Sequence, residues 1–259
     1  MLPCIFPPFP DRHEFDLYAS MIPAKEVGGD FYDFFLTDEN TLAVVMADVS
    51  GKGIPAALFM VIAKTLLKNN AQSASVGGKS SVGGLGKSPG EVFEAVNNIL
   101  CENNDAGMFV TAIMGYLDIP SGKFTYVNAG HNFPMIKRAG GEYEFLQNKP
   151  AFILAGFEGI KYTEHEITLG TGDIIYLYTD GVTEAMNPVN ELFSDPRLIE
   201  TANRYTDLSV KDFAAKIKEE VDIFADGAEQ ADDITMLALE YKGGQGDRGT
   251  VHPASLKLQ

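Results

Sequence analysis

The side chains best suited to chemistry in this sequence are aspartates that fall at the ends of predicted strands. Four positions share this placement: Asp30, Asp48, Asp180 and the neighbouring pair Asp232 and Asp233. Strand ends can meet at one rim of a sheet, so these carboxylates could converge although they lie far apart in sequence. Ligation by oxygen alone suits Mg²⁺ or Mn²⁺, and two such cations could activate a water against a phosphoester.

A plainer explanation fits each aspartate taken singly. Aspartate is common in turns, where its side chain accepts hydrogen bonds from nearby backbone N–H groups. For the whole set, chance is a weaker explanation. The residue pattern alone nevertheless leaves the metal site and the turn residues about equally supported.

The strands that must position these aspartates are predicted from short apolar or alternating segments. Residues 41–49 read TLAVVMADV, a nearly continuous apolar run that is typical of a strand buried on both faces. Alternation predicts a first strand from Phe15 to near Pro23, and turn residues between short strands predict hairpins. The predicted hairpin strands are 110–118 with 123–128, 133–137 with 142–146, and 162–169 with 174–179, and a last strand spans 234–241.

Helices are predicted at residues 55–70, from Ser88 onward and at 209–224. Pro55 suits a first helical position, and Ser88-Pro-Gly-Glu91 forms a capping box. Residues 72–87, rich in Ser, Gly and Lys, predict a flexible loop, and residues 243–259 a polar tail. Successive hairpins with grouped helices predict a single α+β domain with antiparallel sheets over residues 1–242.

Composition and charge narrow the classes of function. The apolar fraction of 45% is that of an ordinary globular protein. The net charge of −16, from 36 acidic and 20 basic residues, argues against nucleic acid and anionic membranes as partners. The two cysteines allow at most one disulfide, and no apolar run reaches the ~18 residues of a membrane span. We therefore expect a cytoplasmic protein without membrane insertion by this segment.

Five motifs, in order along the chain, resemble the SpoIIE/RsbU-like bacterial branch of the metal-dependent (PPM, or type 2C) serine/threonine protein phosphatases. They are Glu26-Val-Gly-Gly-Asp-Phe-Tyr-Asp33, Ala47-Asp-Val-Ser-Gly-Lys-Gly-Ile-Pro-Ala-Ala57, Asn128-Ala-Gly-His131, Tyr178-Thr-Asp-Gly-Val-Thr-Glu184 and Asp232-Asp-Ile-Thr235. The resemblance covers about residues 14–241, and five ordered motifs are far more specific than any one of them. It implies a four-layer αββα sandwich with metals held where two sheets meet.

The resemblance also implies roles for individual residues and two bound ions, Mn²⁺ or Mg²⁺. Asp48 resembles the acid that bridges both metals, and Asp30 a catalytic carboxylate that orients metal-bound water. The implied metal site comprises Asp30, Asp48, the carbonyl of Val49, Asp180, Asp232 and Asp233. Asp232 is favoured over Asp233 as the direct ligand, but the sequence leaves that choice open.

Departures from the eukaryotic pattern affect the phosphate-binding group and the general acid. No arginine occupies the phosphate-binding position near the start, since Arg12 lies too early, and Ser50 replaces a histidine after the bridging acid. Proton delivery to the leaving group would then fall to water. Regulatory or substrate-proximal roles are predicted for Gly51, Lys52, Gly53 and His131. The alternatives are a solvated lysine and a turn histidine bonded to backbone.

The resemblance implies hydrolysis of phosphoserine or phosphothreonine on a STAS-type (anti-anti-sigma-like) regulatory protein in sigma-factor partner switching. It also implies an upstream sensor or receiver domain in a longer protein, and it is compatible with a homodimer. One alternative is a catalytically weak or inactive phosphatase-like module that binds phosphorylated regulators. Another is a metal-dependent nuclease, against which the negative charge argues.

Overall fold

The structure, a computed structural model, describes residues 12–73, 86–102 and 104–244, and these form two five-stranded sheets. Across sheet I the order is β1 (Phe15–Ile22), β10 (Ile234–Tyr241), β9 (Ile174–Tyr178), β6 (Met135–Lys137) and β7 (Tyr143–Phe145). Across sheet II the order is β2 (Phe31–Asp38), β3 (Thr41–Val49), β4 (Val110–Asp118), β5 (Lys123–Ala129) and β8 (His165–Thr168). Neighbouring strands in both sheets run antiparallel.

Helices cover the outer face of each sheet. The first two helices, α1 (Ile54–Gln72) and α2 (Pro89–Glu102), pack on sheet II. Sheet I is covered by α4 (Ser194–Arg204) and α5 (Val210–Ala225), while the short α3 (Asp180–Thr183) follows β9 directly. The result is the expected four-layer αββα sandwich.

Strand β3 shows why its sequence is apolar at nearly every position. Leu42, Val44 and Met46 point into the core between the two sheets. Ala43 and Val45, on the opposite face, pack beneath α1 and α2. Because side chains alternate along a strand and both faces are covered, neither face can be polar. The prediction of a strand buried on both faces is confirmed.

Local signals located several other elements correctly. The β4–β5 and β6–β7 hairpins are present as predicted. The capping box at the start of α2 is also formed: Ser88 N donates to Glu91 Oε2 (2.8 Å), and Glu91 N donates to Ser88 Oγ (3.4 Å).

The third predicted hairpin is wrong. Strand β8 pairs with β5 in sheet II, whereas β9 lies between β10 and β6 in sheet I. The turn between them crosses from one sheet to the other, and Gly172 N donates to the carbonyl of Tyr241 (2.7 Å) in sheet I. Turn residues mark a change of direction without specifying which strand will be the partner.

Strand β2 and helices α3 and α4 were not predicted. The β2 sequence FYDFFLTD does not alternate, since Phe31 enters the helix-covered core while Tyr32 and Phe34 enter the core between the sheets. Most of the predicted flexible loop (residues 74–85) and of the polar tail (residues 245–259) lies outside the described residues. Within the described ranges, no helix is both long and apolar enough to cross a bilayer.

Candidate active site

The five predicted acidic residues come from four segments and meet at one end of the two sheets. Asp30 immediately precedes β2, Asp48 lies near the end of β3, and Asp180 begins α3 after β9. Asp232 and Asp233 immediately precede β10. The charges of Asp180, Asp232 and Asp233 all act on the Asp48 carboxyl, and Asp30 shares a hydrogen bond with it. The structure therefore brings together all five aspartates.

Asp30 is buried and held by two threonines. Its Oδ2 accepts hydrogen bonds from Thr179 Oγ1 (2.7 Å) and Thr235 Oγ1 (2.6 Å). Thr235 N in turn donates to Thr179 Oγ1 (3.1 Å), and both threonines are fully buried. This arrangement fixes the carboxyl of Asp30 and leaves Oδ1 as the oxygen that the threonines do not hold.

Crowding and burial raise the pKa values of these carboxyls and so disfavour their ionised forms. Burial, followed by the charges of Asp180 and Asp232, raises the pKa of Asp48 to about 7. Burial, together with Glu184 and Asp232, raises the pKa of Asp180 to about 6. Burial and the neighbouring Asp48 raise the pKa of Asp30 well above its ordinary range. A divalent cation among these groups would favour their ionised forms.

Asp232 and Asp233 are adjacent but have different surroundings. Both oxygens of the buried Asp233 accept backbone hydrogen bonds, Oδ1 from Ala24 N (2.9 Å) and Oδ2 from Asp30 N (3.3 Å). The Asp232 side chain is 38% exposed, and its Oδ2 lies 3.0 Å from Lys52 Nζ. Asp233 thus fastens the segment before β2, and Asp232 is the more accessible of the two carboxylates.

Three glycines of the motifs allow the close approaches on which the site depends. A Cβ at Gly28 would lie 2.0 Å from Asp233 Oδ2, and a Cβ at Gly181 would lie 2.0 Å from the Asp233 carbonyl oxygen. At Gly29 it would lie 2.9 Å from the carbonyl oxygen of Val49, the predicted backbone ligand. Any larger residue would push the acidic segments apart.

The acidic cleft is the space lined by Gly28, Asp48, Lys52, Asp232, Asp233 and their neighbours, including Gly51 and Gly53. Both loop glycines have positive φ, 88° and 75°, which only glycine adopts readily. They bring Lys52 over the cleft, where Nζ donates to the Ala231 carbonyl (2.7 Å). The hydrogen bond to Asp232 raises the pKa of Lys52, so the ammonium stays charged.

His131 lies in a buried turn. Its imidazole Nδ1 is 2.9 Å from Thr111 Oγ1. Its backbone N–H donates to Asn128 Oδ1 (2.8 Å), and Asn128 Nδ2 donates to its backbone carbonyl (3.0 Å). Burial lowers the pKa of His131 to about 4, which keeps the imidazole neutral. These contacts favour the turn-histidine interpretation over a substrate-proximal role.

The donor set suits a hard divalent cation, because it consists of carboxylate oxygens and a backbone carbonyl. The carboxylates are not already closed around one point. Among residues 12–73, 86–102 and 104–244, no three His, Cys, Asp or Glu side chains form a ready-made metal cluster. Mg²⁺ normally keeps several waters and takes one or two carboxylates, so it does not need a closed cage. The residues present fit such an ion.

The residues that support the acids were not predicted from the sequence. Thr179 and Thr235 stand inside the recognised motifs, next to or two residues from an aspartate, and that proximity was an available signal. Gln230 carries no such signal. Its Nε2 donates to the carbonyls of Ile22 and Asp232 (both 2.8 Å), linking the end of β1 to the acidic segment.

Comparison with known proteins identifies relatives along most of the chain. The SpoIIE family, described as Stage II sporulation protein E, matches residues 38–242. Protein IcfG of Synechocystis sp. is 34% identical over 248 residues, covering 89% of this chain and 38% of IcfG. Phosphoserine phosphatase RsbU of Bacillus subtilis is 28% identical over 234 residues, covering 90% of this chain and 65% of RsbU. The chain therefore spans less than two thirds of either relative.

The fold is similar to a solved structure from Bacillus subtilis. That structure contains the PP2C phosphatase domain and a fragment of the regulatory domain of the cell fate determinant SpoIIE. The TM-score is 0.71 at 18% identity, with 87% of this chain and 63% of that chain covered. At this identity the likeness shows the fold alone.

Proposed function

The chain belongs to the SpoIIE/RsbU-like family of PP2C-type phosphatase domains, and we propose that it hydrolyses phosphoserine or phosphothreonine with two divalent cations. The observation that carries the proposal is the crowding of Asp180 and Asp232 against the half-buried Asp48. Carboxylates that repel one another in a cleft form an arrangement that a bound cation stabilises. PP2C-type phosphatases are metal-dependent, and Mn²⁺ or Mg²⁺ is the proposed ion.

Each acid has a distinct role in this proposal. Asp48 would bridge the two ions with the Val49 carbonyl as a further ligand, and Asp180 and Asp232 would bind the second ion. When bound, the cations supply charge that lowers the pKa of a water and neutralises the phosphoryl group. Asp30 would orient water through Oδ1, because Thr179 and Thr235 occupy Oδ2.

Lys52 is the residue proposed to attract the phosphoryl group. The surroundings support this role, since the ammonium is half-exposed above the cleft and, among the described residues, pairs with Asp232 and donates to the Ala231 carbonyl. Where a cation neutralised Asp232, the flexible lysine side chain could turn towards an anionic substrate. Asp233 would be a positioning residue, because its carboxylate accepts a hydrogen bond from the backbone N–H of Asp30.

The proposed substrate is a phosphorylated STAS-type regulator in sigma-factor partner switching. The relative RsbU, named a phosphoserine phosphatase, supports a phosphoserine substrate. A sensor or receiver domain in a longer protein is proposed because the relatives extend well beyond the matched region. A homodimer and a cytoplasmic location belong to the same proposal.

The test is hydrolysis of p-nitrophenyl phosphate with and without Mn²⁺. Asp48→Asn and Asp180→Asn should each lower turnover by more than about 100-fold, because each removes a ligand charge. Asp207→Asn, an exposed carboxylate between α4 and α5, is the matched control and should retain activity. Retained activity in both Asp48→Asn and Asp180→Asn would contradict the proposal. A wild-type protein that binds phosphoprotein without Mn²⁺-dependent turnover would support the inactive module instead.

A further inference from the structure

A groove of about 160 Å³ opens beside the acidic cleft, on the side of sheet I. We call it the flanking groove. Its walls come from α3 with the segment that follows it, from the end of α5 and from the segment before β10. It adjoins the acidic cleft, because Lys52 and Asp232 line both spaces. A residue next to a phosphoryl group bound in the cleft would therefore lie close to the groove.

The floor of the flanking groove is apolar and has a fixed shape. Val221 and Ile234 are buried beneath it, while Met186 and Leu192 are 37% and 48% exposed. Met186 and Leu192 form an antiparallel bridge, and Phe193 N donates to the Ala185 carbonyl (2.8 Å). The exposed apolar side chains thus stand on a hydrogen-bonded segment, and grouped exposed apolar residues mark binding sites.

The rim of the flanking groove is negative. Glu184 and Glu229 are exposed and line the groove, and neither forms an ion pair within the part of the chain that the structure describes. Asp222 also lines it and pairs with Lys218 at 2.5 Å. The positive group at the cleft end, Lys52, is bound to Asp232. Apart from that paired lysine, the charged side chains that line the flanking groove are carboxylates.

Size and charge together restrict the occupant. The volume is below the roughly 300–1,000 Å³ of sites that enclose small molecules, so a side chain of a larger partner fits better than a free ligand. An apolar floor suits an aliphatic side chain, and Glu184 and Glu229, which have no ion pair among the described residues, suit Lys or Arg. The occupant must also reach the cleft that the groove adjoins.

We infer that the flanking groove binds the substrate protein next to its phosphorylated residue, accepting one aliphatic side chain on its floor and one Lys or Arg at Glu184 and Glu229. This inference rests on the proposed phosphatase function and adds a substrate class to it. The substrate class is a phosphoprotein with an aliphatic and a basic residue close to the phosphoserine. The acidic rim repels substrates whose flanking residues are acidic.

The test compares phosphoserine peptides carrying Leu and Arg, Leu and Glu, or Ala and Arg within three residues of the phosphoserine, on either side. For each, kcat/KM is divided by that for p-nitrophenyl phosphate. We expect the Leu–Arg peptide to exceed the other two by about three- to tenfold, the size expected of an exposed charge pair or a partly buried side chain.

Two variants assign the preference to the flanking groove. Glu229→Lys should lose the preference for Arg and shift it towards the Leu–Glu peptide, and Leu192→Ala should lose only the preference for Leu. Glu142→Lys makes the same charge change at an exposed position in the β6–β7 turn and should keep the wild-type ratios. Binding of the dephosphorylated peptides, followed by fluorescence anisotropy, should change in parallel.

The outcomes separate this inference from the proposed function. Equal ratios for all three peptides, or a Glu229→Lys variant that behaves like Glu142→Lys, would overturn the groove assignment while p-nitrophenyl phosphate turnover persists. Absence of Mn²⁺-dependent turnover of p-nitrophenyl phosphate would contradict the phosphatase itself. A preference that Glu229→Lys changes but Leu192→Ala leaves intact would reject the apolar floor as a side-chain site.

Discussion

At the scale of single residues, Asp30 shows how neighbouring groups fix the orientation of a carboxylate in the site. Thr179 and Thr235 donate to one oxygen, and Asp233 holds its backbone N–H. The sequence predicted the aspartates, because acids beside glycines and at strand ends are visible in it. The threonines were not predicted, since a buried hydroxyl has no pattern of its own until its partner is known.

Removing one of these two threonine hydroxyls should reduce stability and activity more than removing a buried hydroxyl elsewhere in the core. We predict that Thr235→Val destabilises the protein by about 1–3 kcal/mol and lowers activity about tenfold or more, because a buried carboxyl loses a donor. Thr125→Val is the matched control, since Thr125 is fully buried with no hydrogen-bond partner for its Oγ1 among the described residues. Urea unfolding and p-nitrophenyl phosphate turnover measure both effects. Equal stability losses in the two variants would contradict the role given to Thr235.

The raised pKa of Asp48 predicts a pH-dependent stability for the metal-free protein. Its pKa of about 7 in the folded state exceeds the ordinary 3.8, so between these values the folded chain binds more protons than the unfolded chain. The free energy of unfolding therefore falls as pH rises through this range. Asp48→Asn removes the effect and should become progressively more stable than wild type from pH 4 to pH 7. Urea unfolding in EDTA tests this, and a pH-independent difference would contradict it.

At the scale of secondary-structure elements, local sequence patterns predicted the elements whose structure depends on residues close in sequence. The β3 strand, the capped start of α2 and two hairpins were predicted, because their signals lie within one element or one turn. The partner of β8 could not be predicted, because that choice depends on contacts distant in sequence. Strand β2 was missed because its two faces enter two different cores and its pattern lacks alternation.

The junction of α3 with β10 gives an element-scale prediction. A Cβ at Gly181 would lie 2.0 Å from the Asp233 carbonyl oxygen. The start of α3 can therefore pack this closely against the segment before β10 only if residue 181 has no side chain. We predict that Gly181→Ala costs about 1–3 kcal/mol of stability and abolishes most activity by separating Asp180 from Asp232. The control is Gly86→Ala, whose Cβ would meet its nearest neighbour at 3.5 Å. Thermal unfolding and turnover should differ sharply between the two variants, and similar behaviour would refute the close-approach argument.

At the scale of the whole molecule, the two sheets bring four distant segments to one end of the sandwich. The sequence predicted this architecture only through its five ordered motifs, because composition and periodicity indicate an α+β fold without stating which ends of the sheets meet. The domain extent of residues 1–242 and the polar tail stay predictions. The flanking groove was not predicted, since its walls come from α3, α5 and the segment before β10.

Because negative charge is concentrated at this end, we expect the stability of the protein to depend on metal ions. A ligand that binds only the folded state stabilises it by about 2.7 kcal/mol at a hundredfold excess over its Kd. We therefore predict that Mn²⁺ raises the Tm of the wild-type protein and has a much smaller effect on Asp180→Asn. Differential scanning fluorimetry with an Mn²⁺ titration measures the shift. Equal shifts in both proteins would mean that Mn²⁺ binds away from the cleft.

The most direct test of the metal site is a crystal structure grown with Mn²⁺, with ion positions taken from anomalous scattering. We expect two ions at the acidic cleft, with Asp48 contacting both and with Asp180 and Asp232 contacting one of them. A cleft without Mn²⁺, or ions bound there without Asp48 and Asp180, would contradict this expectation.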